Sequence, residues 1–317
     1  MEALADRLTH DPRLSVAVHE VLSKVAAIRS TATILVETKD IEDSWQERFQ
    51  RNLFEDSGQL TDSAQALVSF LEGEAGPNMG VEPPRGKVQK YLEEAGFHFP
   101  SLEDPDGSEA AISALLDGFE GQDDPFAKRL MESFFIQYRR DASGMPRSDL
   151  MRHIAEFGFD PSLIAQNFDQ TVAAACRRLA CLPTGDVPAF GYVACDASGL
   201  LTWRKPISGF SLPRSGVGCP RWPLFRALGL AGQAVYAFLH QAATSSQKFH
   251  AFAAAETVWP EGIFDAPVVQ AGMLLIPAEC MDSKSSQGEI SVGSTCRLCP
   301  IDACAARQEP SVLVEGL

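Results

Sequence analysis

The chain has 317 residues, 45% of them hydrophobic and 22% charged, with a mean hydropathy of -0.06. That composition describes a globular chain long enough for about two or three domains, and it excludes a disordered polymer, a collagen and a coiled-coil rod. Twenty-seven Lys and Arg stand against 42 Asp and Glu, a formal charge of -15 that repels a phosphate backbone unless one face is locally basic.

The start, MEALADRLTHDPRL, has no basic segment leading into an apolar one. No window approaches the roughly 18 apolar residues of a membrane helix, so a cytoplasmic protein with no membrane partner is expected. Val18, Val21, Val25, Ile28, Ala32 and Leu35 recur at steps of three and four, the rhythm of helices packed side by side. After a break at Lys39 to Asp43, Ser44 and Glu47 make a capping box for a second helix. Its stripe is Trp45, Phe49, Leu53, Leu60, Ala64, Leu67 and Leu71. Two such helices bury little by themselves, and a second copy would complete a four-helix bundle, so residues 1–75 are expected to form a homodimer. The pair resembles the dimerisation hairpin of sensor histidine kinases, in which a His-Glu pair opens the first helix, here His19 and Glu20. No nucleotide-binding motif follows, so His19 reads as a helix residue and not as a phosphoacceptor.

Gly73 to Pro84 collects Gly, Pro and acidic residues, a linker composition that puts a domain boundary near residue 80. Residues 76–186 then form an acidic, helical middle region. Lys87 to Gly96 reads as a short helix, Leu102 to Asp124 as acidic and partly loop, and Pro125 to Tyr138 as a further helix. Asp160-Pro161 opens PSLIAQNF, Asp169-Gln170 makes a turn, and VAAACRRLACLP follows, the layout of a helix-turn-helix. Arg177 and Arg178 would be its DNA readers. The acidity around them favours an ordinary packing unit.

Beyond Val187 the composition changes: nine Lys or Arg meet ten Asp or Glu, and six of the eight cysteines lie here. Without a secretory start, cysteine usage of this kind indicates metal or redox chemistry more than a disulfide framework. FGYVACD, a turn at Ala197-Ser198-Gly199 and LLTWRKP read as a β-hairpin. Leu239 to Phe252 and Met273 to Ile276 are further strand candidates, so residues 187–317 should be built on an antiparallel sheet.

Cys296, Cys299 and Cys304 form a C-x2-C-x4-C run near the end. A tight loop can turn three such thiols toward one centre, as iron-sulfur clusters and structural zinc both require. Cys219, in the Gly- and Pro-rich loop GFSLPRSGVGCPRWP, is the candidate fourth ligand. Cys176, Cys181, Cys195 and Cys280 sit in predicted helix or strand and read as small hydrophobes. One triplet plus a remote Cys-Pro favours iron-sulfur, with zinc as the alternative metal.

GCPRWPLF followed by VGSTCRLCPIDACAARQEPSVL resembles the C-terminal domain of bacterial short-chain fatty acyl transcriptional regulators, whose usual form is a GxxCPxWPxF loop and a CRxCPRxxCxxR tail. The likeness covers Val187 to the end, and Pro125 to Pro183 more loosely. It implies a cytoplasmic regulator of propionate, acetate or related acyl-CoA metabolism, not an enzyme. It also implies a 4Fe-4S cluster on Cys219, Cys296, Cys299 and Cys304, and acyl-CoA as ligand. The expected fold is α+β: an N-terminal dimerisation hairpin, a helical middle region resembling a degenerate IrrE-like domain, and a C-terminal sensor domain with an antiparallel sheet and a cysteine-rich tail. A cluster joining Cys219 to the tail is expected to close one wall of a pocket in the sheet domain, with the acyl group on Phe210 and Trp222 and the CoA phosphates at Arg204, Lys205 or Arg214.

Three departures are visible. The chain opens into the helical pair with no family helix-turn-helix before it, so DNA is a partner only if that element is missing from this chain. The middle region lacks a His-Glu-x-x-His pair, since His153 in MRHIAEF has no second ligand at helical spacing, which excludes zinc-protease chemistry. Ile301 stands where the family tail has Arg. The alternatives to a sensor are a histidine-kinase-like or cluster-dependent enzyme, or a structural zinc-binding module.

Overall fold

The computed structural model describes residues 12–37, 43–72, 83–104, 109–213, 217–230, 232–242, 246–258, 266–281, 288–311 and 313. The chain divides into two units, 1–81 and 82–317. In the first, α1 (Pro12–Glu37) and α2 (Asp43–Glu72) pack on one another, with Lys24 reaching Asp56 at 3.8 Å. Val21, Ile28, Ala32 and Leu35 on α1, and Phe49, Leu53 and Leu60 on α2, are half-buried members of the predicted stripes, whereas Val25 and Trp45 stay exposed. The His19 side chain and most of the predicted linker, residues 73–82, lie outside the described residues.

The second unit begins with helices whose starts are set by local chemistry. They are α3 (Pro84–Glu94), α4 (Glu109–Asp117), α5 (Pro125–Gly144), α6 (Arg147–Phe157), α7 (Pro161–Asn167) and α8 (Val172–Ala180). Asp124 caps α5 by accepting from the Phe126 and Ala127 N–H groups, and Asp160 and Thr171 cap α7 and α8 in the same way. Proline in the first turn of α3, α5 and α7 gives up an N–H that would find no partner there. Helix α5 continues past Tyr138 because Asp141 and Ala142 extend its buried face. The acidic stretch expected to be partly loop holds α4, anchored by Leu116.

The sheet contains β1 (Gly191–Asp196), β2 (Leu201–Lys205), β3 (Ala234–Gln241), β4 (Lys248–Val258), β5 (Val268–Pro277) and β6 (Ile290–Val292), in the order β2-β1-β5-β4-β3-β6. Four pairings are antiparallel, but β6 lies parallel to β3, so the sheet is mixed where an antiparallel one was expected. The stretch Leu239 to Phe252 belongs to two strands, β3 and β4. Central β4 and β5 are covered on both faces, which is why their sequences are apolar without alternation.

One face of the sheet carries Val193, Phe249, Ala251, Ala253, Met273 and Leu275, packed against the short helix α9 (Pro223–Leu228). The other face carries Tyr192, Phe252, Leu274 and Ile276 under α6 to α8. Side-chain amides pair with main-chain groups at two places. Gln89 of α3 donates to Arg204 O at 2.5 Å and accepts from Arg204 N at 3.3 Å, so it pairs with edge strand β2 as a strand residue would. Gln241 does the same for Ser211, at 2.9 and 2.6 Å. Among the described residues no helix is long and apolar enough to cross a membrane.

Candidate functional site

The helical side of the sheet encloses a cavity of about 270 Å³ between α5, α8 and strands β1, β2, β4 and β5. Phe134, Tyr138, Tyr192, Trp203, Ala254 and Gly272 give it apolar walls. Gly272 is required there, because a Cβ at this position would stand 2.0 Å from the Tyr192 hydroxyl. A second cavity of about 330 Å³ shares Phe134, Thr202, Trp203 and Gln270 with the first and reaches exposed Arg85 on α3. The first falls below the roughly 300–1,000 Å³ of a site for a drug-sized ligand. Its size suits a small group.

Arg177 of α8 reaches across the first cavity. Its Nε meets Asp141 Oδ2 at 2.8 Å, its Nη2 meets Asp141 Oδ1 at 3.1 Å, and its Nη1 donates to Glu256 on β4. Burial opposes the Arg177 charge, but Asp141 and Glu256 outweigh it and keep the guanidinium protonated. Burial raises the Asp141 carboxyl, with Arg177 and Gln137 acting the other way. Between the two chambers lies Trp203, whose indole N–H is covered and has no hydrogen-bond partner. A covered, unpaired donor is expensive, on the order of 1–3 kcal/mol, and a ligand oxygen would satisfy it once the side chains covering it move aside.

Next to this site Arg178 points into a different network. It holds Glu103 at 2.6 and 2.5 Å and donates to Met145 O at 3.0 Å. Tyr138 donates to the same carboxylate, and His98 Nδ1 lies 3.1 Å from the Tyr138 hydroxyl. Arg177 and Arg178 are 9% and 1% exposed. The helix pair α7–α8 is therefore a packing unit, and neither arginine can read DNA while its ion pairs hold.

A larger cavity, about 540 Å³, lies under Phe157, Phe159, Tyr236 and His250. Its histidine is already used: Nδ1 meets the Tyr236 hydroxyl at 2.9 Å and Nε2 meets Met281 O at 3.0 Å. Asp160, also in its wall, is spent on capping α7. Polar groups left over for a ligand therefore mark the smaller, two-chambered site.

On the opposite face, the loop carrying Cys219 is fastened to the tail. Trp222 Nε1 donates to Gly293 O at 2.9 Å, and Arg221 donates to Ser291 O at 2.9 Å. Burial pushes the Cys219 thiol up, backbone N–H groups of Gly293 and Arg221 oppose this, and the neighbouring thiols of Cys299 and Cys296 add to the rise. Three of the four predicted ligands are thus neighbours. A Cβ at Gly293 would stand 2.8 Å from Cys299 Sγ, so only glycine lets the backbone pass that thiol. Arg307 ties the tail together by donating to the carbonyls of Cys296 at 3.1 Å, Cys299 at 3.2 Å and Ile301. Cys304 begins the turn that brings Arg307 back, its carbonyl accepting from Arg307 N at 3.0 Å. Among the described residues no group of three His, Cys, Asp or Glu is gathered closely enough to hold a metal ion as it stands. The thiols are of the right chemistry for a thiolate-bound group, but only Cys219, Cys296 and Cys299 are placed as neighbours.

The residues expected to bind acyl-CoA are placed elsewhere. Phe210 and Trp222 are 2% and 0% exposed, pack on each other with ring centroids 5.5 Å apart, and belong to the core that anchors the Cys219 loop. An acyl group could reach them only by opening that core. Lys205 is buried, donates to Ala180 O at 2.5 Å and stands 5.8 Å over the Phe97 ring; desolvation lowers its pKa. Arg204 is half-buried, with Nη2 3.4 Å from Leu201 O. None of the four lines the cavities on the helical side, and Arg214 lies outside the described residues. The sequence reading missed Trp203, Asp141, Glu256 and Arg307. Of these only Arg307 carried a signal, as the last position of the tail motif.

Residues 184–315 match the family described as "Short-chain fatty acyl coenzyme A regulator, C-terminal". Among solved structures, a Mycobacterium tuberculosis transcriptional regulator is similar with a TM-score of 0.51. The two share 18% identity over 74% of this chain and 70% of that one, which is a likeness of fold. No curated protein matches.

Proposed function

We propose that the second unit, whose residues 184–315 match the short-chain fatty acyl coenzyme A regulator family, is the sensor of a transcriptional regulator and binds a short-chain acyl-CoA in the two neighbouring cavities. The observation that carries this is the unpaired Trp203 N–H between the chambers. The acyl end lies in the inner chamber, a carbonyl of the ligand accepts from Trp203, and the arm runs outward toward Arg85, whose charge suits the phosphates. This assignment replaces Phe210, Trp222, Arg204 and Lys205 and names no catalytic residue. Titration calorimetry with acetyl-CoA and propionyl-CoA tests it. Saturable binding, weakened when Arg85→Glu reverses the charge at the outer end, is expected. Absence of heat for either ester removes the reading.

Cys219, Cys296, Cys299 and Cys304 are proposed as ligands of an iron-sulfur cluster, which when bound supplies a redox- and oxygen-sensitive link between the Cys219 loop and the tail. What supports this is the proximity of Cys219 to Cys296 and Cys299. Anaerobic reconstitution should give a coloured protein containing iron and sulfide, and alanine at Cys296, Cys299 or Cys304 should lower the loading. Unchanged loading in all three variants, or a colourless zinc protein, would end that assignment. Homodimerisation through the first unit remains a proposal supported by exposed Leu22, Trp45 and Phe54. DNA contact is proposed only through a separate helix-turn-helix.

A further inference from the structure

Among the described residues the inner chamber has three charged side chains, Arg177, Asp141 and Glu256, and one thiol, Cys181. Burial pushes that thiol up to about 12, so it is neutral in use. One guanidinium therefore serves two carboxylates, and the chamber carries a formal charge of -1. Asp141 takes the Nε and Nη2 edge at 2.8 and 3.1 Å, and Glu256 takes Nη1. Arg177 is consequently not an open clamp for an anion. A ligand carboxylate would either become the third anion on one cation, in a place where water screens little, or have to expel Glu256 from its pairing.

We infer that the chamber selects uncharged acyl groups and turns away acyl groups that carry a free carboxylate. This rests on the chamber being the acyl site. The surrounding Phe134, Ala254 and Gly272 favour an alkyl end for the same reason that the charge disfavours an acid. Glu256 is the determinant that can be neutralised most cleanly: a glutamine at this position keeps an acceptor for Nη1 and removes one charge.

The test is titration calorimetry of the full chain with propionyl-CoA and methylmalonyl-CoA, which differ by one carboxylate. The carboxylated ester should bind at least about tenfold more weakly. In Glu256→Gln the ratio of the two affinities should shrink several-fold; reading the ratio cancels any effect common to both. Equal binding in the wild type, or a ratio untouched by Glu256→Gln, overturns the inference while the sensor reading stands. Failure of both esters to bind overturns the sensor reading and this inference with it.

Discussion

The Arg177 guanidinium meets the Asp141 carboxylate along one edge, Nε to Oδ2 at 2.8 Å and Nη2 to Oδ1 at 3.1 Å, and so ties α8 to α5 across the cavity. Both side chains are nearly enclosed, so the pair is screened little by solvent. Asp141→Ala strands a buried guanidinium and should destabilise the protein by about 3 kcal/mol, with Glu256 limiting the damage. Removing the more open Lys24 to Asp56 pair by Asp56→Ala should change stability by no more than about 1 kcal/mol. Urea unfolding of both variants measures the contrast. A smaller loss for Asp141→Ala than for Asp56→Ala would contradict it.

Acid should loosen the Glu103 network. Burial tends to raise the Glu103 carboxyl, but hydrogen bonds and charge from Arg178, with Tyr138 and His98, outweigh it and hold the pKa below the ordinary value. A depressed folded-state pKa means that this stabilisation is complete above the unfolded value of about 4.3 and is lost as pH falls through the folded value. Melting curves between neutral pH and pH 3 should show that loss in the wild type. In Glu103→Gln the starting stability should be lower and the acid dependence flatter. Parallel curves for the two proteins would show that Glu103 is not the responsible group.

Trp203→Phe keeps the ring and removes the donor. Since the indole N–H has no protein partner, the variant should be as stable as the wild type or slightly more so. Affinity for a short-chain acyl-CoA should fall by about 2- to 10-fold, the worth of one neutral hydrogen bond. A variant that loses stability and keeps affinity would mean that the N–H serves the fold and not a ligand.

Gly272→Ala puts a methyl 2.0 Å from the Tyr192 hydroxyl. Overpacking of this kind should cost about 1–3 kcal/mol and narrow the inner chamber. Tyr192→Phe removes the nearest atom, so the alanine should be less damaging in that background. A double-mutant cycle by chemical denaturation reads the coupling, and simple additivity would rule out the contact as the cause.

How much of this could be read from sequence depended on whether a feature is local. The helix start at Asp160-Pro161 and the hairpin β1–β2 were legible because each depends on neighbours within a few residues. The boundary between β3 and β4 was not, since β4, covered on both faces, loses its alternation. Phe210 and Trp222 looked like ligand surfaces because aromatic residues in a Gly-rich loop give no sign of which side the core will take. That Arg177 and Arg178 belong to a packing unit was suggested by the acidity around them, but their partners Asp141, Glu256 and Glu103, 36, 79 and 75 residues away, were not legible.

By itself the order of amino acids established the α+β character and the cysteine triplet with its Cys-Pro companion. These rest on periodicity and spacing, which survive any later packing. Only the tertiary structure decided which face of the mixed sheet holds a cavity, that its one cation is shared by two anions, and that an indole N–H is left over. Those are sums over residues distant in the chain, and burial, which alone makes a spare donor or an unbalanced charge matter, exists only once the chain has closed on itself.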